Sequence, residues 1–170
     1  MTYPVLSIKS HKSQSMVEFA LVVPILLLLM VGLLEVGRLI FIYSTVVTAS
    51  REAVRYGSAT GPIVTGGTLL HYQDCTGIRA AAQKVDFLGV IEDADIVISY
   101  YRDATNDGIF NPTVVSSNCP PPPAVEIKDG DRITISVSSN FSTIVQLIPL
   151  RPVKLTSSSS RTILISIIKP

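Results

Sequence analysis

A run of sixteen uncharged residues, from Phe19 to Leu34, constrains the fold of this chain more than any other feature. As an α-helix with a rise of 1.5 Å per residue it measures about 24 Å. Including Glu18 and Glu35 at its two ends brings it close to the thickness of a bilayer core, about 30 Å. The sequence therefore predicts one membrane-spanning helix near the amino terminus.

The residues before this run predict its direction. Lys9, His11 and Lys12 precede it, and no acid occurs before Glu18. Basic flanks stay on the cytoplasmic side, so we expect residues 1–13 to be a basic cytoplasmic leader. No small-residue cleavage motif follows the apolar run, which predicts that the helix stays attached to the rest of the chain.

Glu18 stands at the entrance of the apolar run and is followed by Phe19. A carboxylate facing lipid costs about 2.5–3.5 kcal/mol, so it needs a partner. A free amino terminus of a neighbouring chain is the natural cation, which indicates assembly. The alternative is that Glu18 only reaches the lipid headgroups. Glu35 and Arg38, three residues apart, can pair on one helical face, either as a simple intrahelical pair or as a functional site.

The helix is predicted to continue to Tyr56, because no breaker occurs before Gly57 and the following Gly61-Pro62. Residues 14–57 are thus expected to form one helix. Ala49, Ala53 and Gly57 recur at four-residue spacing, which allows close packing either against other helices or against the chain's own domain.

Residues 58–170 are predicted to form an extracytoplasmic α+β domain. Its expected helix runs from about Thr76, as N-cap, to Leu88. The expected strands cover residues 94–101, 132–138 and a long or bulged segment from Val153 to Ile167, in an antiparallel sheet of three or four strands. Asp129-Gly130 predicts a turn, and a long loop is expected between the first two strands.

Two cysteines, Cys75 and Cys119, lie beyond the apolar run. In an exported domain they are expected to form a disulfide, since two thiols and a lone His71 do not make a metal site. Asp103, Thr105 and Asp107 imitate the opening of a calcium loop, but its twelfth position is Val114 rather than glutamate. A polar turn is the preferred interpretation.

The overall charge excludes some functions. A net charge of +1 argues against a nucleic-acid-binding protein. With His11 in the leader and no nucleophile context around His71, we expect neither an enzyme nor a cofactor. Residues 86–131 contain nine acids, whereas the chain after Asp131 is basic or neutral. These regions are either docking faces for neighbouring subunits or solvated surface.

The order of several motifs resembles the TadE-like family, the minor pilins or pseudopilins of the tight-adherence type IV pilus. The resemblance is carried by the entry Glu18-Phe19-Ala20, by Pro24, by the exit Glu35-Val36-Gly37-Arg38 and by the segment Ala49–Gly57. The late pattern Ile133–Val137, followed by Phe141, Pro149 and a Ser/Thr-rich strand, is also similar.

The resemblance implies that a prepilin peptidase cuts between Ser13 and Gln14 and that the new amine of Gln14 pairs with Glu18 of an adjacent subunit. Such peptidases prefer glycine before the cut, and this chain has serine there. The implied partners are other pilin subunits, the peptidase, the pilus assembly machinery and the membrane. The implied location is the bacterial inner membrane or the extracellular pilus. A stand-alone, single-pass anchored binding domain is the alternative.

Overall fold

The computed structural model of the protein describes four stretches of the chain, with residues 12–14 and 103 described by their backbone alone. These stretches are residues 12–64, 67–103, 112–145 and 151–165. The chain divides into two compact units, Met1–Arg38 and Leu39–Pro170. Each unit is described by itself.

The first helix, α1, runs from Lys12 to Gly57 and contains 46 residues. It passes through Pro24 and ends at the predicted residue, where the N–H of Ser58 donates to the carbonyl of Val54 (2.9 Å). The predicted long helix is confirmed. Its carboxyl-terminal part, from Leu39 onward, belongs to the second unit.

The second helix, α2, runs from Cys75 to Gln83. The predicted N-cap, Thr76, is wrong, because Asp74 caps the helix by accepting a hydrogen bond from the N–H of Gly77 (2.9 Å). Aspartate is the stronger cap because its carboxylate also complements the helix dipole.

The end predicted for α2 at Leu88 is also wrong. After Gln83 the chain turns, and the Oδ2 of Asp86 accepts a hydrogen bond from the N–H of Ile91 (2.7 Å). Gly89 supplies the positive φ of 63° that this turn requires.

A four-stranded antiparallel sheet completes the second unit, with the strand order β2-β1-β3-β4. The predicted α+β class is confirmed. The strands are β1 (Ile96–Asp103), β2 (Pro112–Ser116), β3 (Arg132–Phe141) and β4 (Val153–Thr162).

The sheet differs from the prediction in two strands. β2 lies where a loop was expected, and it is a short edge strand that begins at a proline. β4 ends at Thr162, and residues 163–165, which were expected to continue it, are not in a strand, while the predicted end at Ile167 lies outside the described residues. The N–H of Ile163 still donates to the carbonyl of Asp131 (2.7 Å), next to the predicted turn at Asp129-Gly130, where Gly130 has a φ of 94°.

The last part of α1 packs against the sheet and α2 to form the core. Ala49, Ala53 and Gly57 are buried here, so this small-residue stripe faces the chain's own domain. A Cβ at Gly57 would lie 2.8 Å from the Cδ1 of Ile133, which shows how closely helix and sheet approach. The other fully buried side chains include Ile42, Val46, Ile78, Ile135, Val137 and Tyr100.

A buried hydroxyl joins α1 to the edge strand β4. The Oγ of Ser50 lies 3.2 Å from the Oγ of Ser157 and 2.9 Å from that of Ser159. Ser50 itself is fully buried, so these contacts satisfy a polar group that would otherwise lose its hydration. They tie α1 to β4 at one register.

Candidate functional site

The amino-terminal part of α1 exposes its apolar side chains. The helix from Ser15 to Gly57 is long and apolar enough to cross a membrane by length and composition, with a mean hydropathy of 2.7 in its most apolar window, none of which is buried. Exposed leucine, isoleucine and methionine side chains in such number indicate a lipid or protein environment. The large exposed apolar residues of this part include Met16, Phe19, Leu21, Ile25, Leu26, Leu27, Leu28, Leu29, Met30, Leu33 and Leu34.

The predicted assembly residues lie in the first three turns of α1. Glu18 is exposed, and 70% of the surface of Phe19 is exposed. Ser13 and Gln14, at the predicted cleavage position, are helical, but their side chains lie outside the described residues. Residues 14 and 18 are one helical turn apart, so they share a face of α1.

The structure brings the second predicted pair together. The Nη1 of Arg38 lies 3.7 Å from the Oε2 of Glu35, with 31% and 16% of the respective side chains exposed. Both residues fall in the helix that could cross a membrane. Mutual neutralisation lowers the cost of placing either charge near lipid.

The predicted disulfide is present. Cys75 and Cys119 are joined with a Cα–Cα distance of 5.7 Å, across a sequence separation of 44 residues. The hydroxyl of buried Tyr100 lies 3.3 Å from the Sγ of Cys119 and donates to the carbonyl of Tyr72. The bridge therefore ties the start of α2 to the loop that follows β2.

The calcium-like segment gives no site in the described structure. Asp103 is the last residue of β1, while Thr105 and Asp107 lie outside the described residues. Within the described stretches, no group of three or more His, Cys, Asp and Glu side chains could hold a metal ion.

A polar cluster that the sequence did not predict lies where α1 meets α2. The hydroxyl of Tyr56 donates to the Oδ2 of Asp74 (2.6 Å), and the ring of His71 packs edge-on against Tyr56 at 4.9 Å between centroids. The hydrogen bonds from Tyr56 and from the N–H of Gly77 hold the pKa of Asp74 below its usual value. The cap of α2 is thereby tied to the last turn of α1.

A buried carboxylate, Asp131, lies directly before β3. Burial would by itself raise the pKa of Asp131, but hydrogen bonds from the Arg102 guanidinium (2.7 and 2.8 Å) and from the N–H of Lys128 (2.8 Å) outweigh it. The pKa of Asp131 is therefore below its usual value. Arg102 also donates to the carbonyl of Glu126 (2.8 Å), so this pair fixes the chain before β3.

A groove of about 930 Å³ lies between the end of α1 and α2. Its α2 side is formed by Gly77, Ala80, Ala81 and Lys84, whose spacing of three and four residues puts them on one helical face. This spacing could have predicted the shared helical face, although not the groove that forms where the end of α1 lies against it. The remaining lining residues are Glu52, Arg55, Tyr56, Ala59 and Val85.

Comparison with known protein families bears on the long helix. The model of the family described as TadE-like protein matches residues 14–55. This segment is similar to the TadE-like family. The predicted family resemblance is confirmed over nearly the whole of α1, from the residue after the expected cut to the last helical turn. No curated protein and no solved structure matches the chain.

Proposed function

We propose that this protein is a minor pilin or pseudopilin of a tight-adherence type IV pilus, with a structural rather than a catalytic role. The observation that carries the proposal is the TadE-like match over residues 14–55. The amino-terminal part of that segment presents exposed apolar side chains, while its carboxyl-terminal part is the core of the α+β unit. One helix thus anchors the chain and supports the displayed domain.

The assembly step in this proposal uses Glu18. After a prepilin peptidase cuts between Ser13 and Gln14, the new amine of one subunit pairs with the Glu18 carboxylate of its neighbour. In a bundle of apolar helices the dielectric constant is low, which strengthens this attraction. An unpaired carboxylate in the same place is costly, so the pairing selects a fixed axial register between subunits.

The first experiment measures the mature amino terminus. The full-length protein is extracted from membranes of cells with and without the peptidase, and its intact mass is determined. We expect a chain beginning at Gln14 only when the peptidase is present. The same mass in both samples, with the leader retained, would contradict processing.

The second experiment measures incorporation into pili. Glu18→Gln removes the charge and keeps the size of the side chain, and Glu126→Gln, at an exposed position of the second unit, is its matched control. We expect at least a tenfold loss of the first variant from sheared pili and normal incorporation of the second. Equal incorporation of both variants would refute the assembly role of Glu18.

A stand-alone anchored binding domain is the second candidate. It is favoured by Ser13, which stands where prepilin peptidases prefer glycine. It predicts that the leader is retained in all cells and that Glu18→Gln has no effect on surface display. The two experiments above therefore separate the candidates.

A further inference from the structure

The turn after α2 presents an exposed aromatic side chain. We call residues Asp86–Gly89 the Phe87 tip, in which 88% of the surface of Phe87 and 45% of that of Leu88 are exposed. The tip is fixed by the Asp86 carboxylate, which accepts from the N–H of Ile91, and by the N–H of Asp86, which donates to the carbonyl of Gln83 (3.0 Å). Aromatic side chains held in a defined position are typical anchors of protein interfaces.

The groove between α1 and α2 has the properties of a receiving site for such an anchor. Its lining includes the small apolar side chains of Ala59, Ala80 and Ala81. Its volume, about 930 Å³, exceeds what one aromatic side chain occupies, so it has room for Phe87.

The charges around the tip and the groove are complementary. Lys84 and Arg55 lie at the groove and are exposed, and 68% of the Arg55 side chain is accessible although it pairs with Glu52 (2.8 Å). Glu92 and Asp93 follow the tip and are exposed. A guanidinium has five N–H donors, so Arg55 can donate hydrogen bonds to a second carboxylate in addition to Glu52.

We propose that the Phe87 tip of one copy of this chain occupies the groove of a second copy, and that the contact is reciprocal. A two-fold contact uses the same patch on both partners, so the patch must carry both anchor and receptor. Here Val85 lines the groove and Phe87 is two residues away, at the same end of α2. The acidic residues after the tip then face Lys84 and Arg55 of the other copy. This dimer contact goes beyond the proposed function and does not depend on it.

The test uses the full-length chain in membranes of cells that lack pilus components. Leu88→Cys, which lies in the tip and keeps Phe87 intact, and Ala81→Cys are expressed together as variants with different tags. The introduced thiols can cross-link because the two native cysteines are already paired with each other. Mild oxidation is expected to give the mixed dimer in at least fivefold excess over the pair Val97→Cys and Ala81→Cys. Val97 is a matched control because it is exposed in β1.

A charge reversal sharpens the test. Lys84→Glu, introduced into both cysteine variants, is expected to lower the mixed dimer at least threefold, and adding Glu92→Lys is expected to restore it. Near-ultraviolet circular dichroism of the buried tyrosines checks that each variant is folded. Any of three results would overturn the proposal. The folded variants could give no mixed dimer, the Val97→Cys pair could give the same yield, or the yield could stay unchanged on charge reversal. Glu18→Gln should leave the mixed dimer unchanged, so failure of pilus incorporation is distinguishable from failure of this contact.

Discussion

Removing the disulfide is expected to destabilise the second unit strongly. The change is the double variant Cys75→Ala and Cys119→Ala, which leaves no free thiol. The bridge spans a sequence separation of 44 residues. For a loop of that length the chain-entropy relation gives a loss of about 4 kcal/mol in the free energy of unfolding. For a unit of this size such a loss lowers the melting temperature by about 10–16 °C.

The assay must report on the second unit rather than on the membrane helix. Near-ultraviolet circular dichroism of tyrosine does so, because Tyr72 and Tyr100 pack edge-on in the core with 6.4 Å between ring centroids. The full-length protein in detergent is heated with and without reductant. We expect the reduced wild type and the double variant to melt at similar, lowered temperatures. A decrease of less than about 3 °C in both would refute the loop-closure reasoning.

Three further predictions concern the contacts of α1 and α2. Asp74→Asn should lower the free energy of unfolding at neutral pH by about 1–2 kcal/mol, by loss of a charged cap and of a charge-assisted bond from Tyr56. Because the folded pKa of Asp74 lies below its usual value of 3.8, its contribution is complete above that value and is lost as the pH falls through the folded pKa, so the two melting curves should converge in acid. Gly77→Ala should lower the free energy of unfolding of the second unit, although alanine favours helices. The reason is that its Cβ would lie 2.1 Å from the Asp74 carboxylate and 2.4 Å from the Tyr56 hydroxyl. A urea midpoint equal to or above that of the wild type would contradict this prediction. Ser50→Ala should lower the free energy of unfolding by about 1–2 kcal/mol, because it leaves the hydroxyls of Ser157 and Ser159 without their partner on α1. Its control, Thr48→Ala on the exposed side of α1, should change the free energy of unfolding by less than about 0.5 kcal/mol.

The elements with a continuous pattern were predictable from the sequence. The uncharged run and the absence of breakers up to Gly57 predicted α1, and the strand expected over residues 132–138 lies within β3, where Ile133, Ile135 and Val137 are buried. These signals suffice because a period of 3.6 or 2 determines which residues share a face. Their order along the chain also predicted the α+β class.

The details decided by tertiary contacts were not predictable. β2 has five residues and begins at a proline, so its pattern is too short to distinguish from a loop, and pairing with β1 decides its conformation. Asp74 rather than Thr76 caps α2 because the hydroxyl of Tyr56, eighteen residues earlier, reaches the same carboxylate. The groove depends on where the end of α1 lies against α2, which no local pattern contains.

The burial of the small-residue stripe limits how α1 can contribute to an assembly. Ala49, Ala53 and Gly57 are the positions that would allow the closest approach of another helix, and the chain's own core already occupies them. Helix contacts between subunits must therefore use the exposed apolar residues before Ile42 or the polar outer side that includes Arg51 and Arg55. The TadE-like match covers residues 14–55 and so includes both the exposed apolar residues of the first part and the buried positions of the second. The proposed pilin role therefore requires different properties of the two parts. The first part needs exposed apolar side chains and a partner for its carboxylate, and the second needs small and apolar side chains that pack against the sheet.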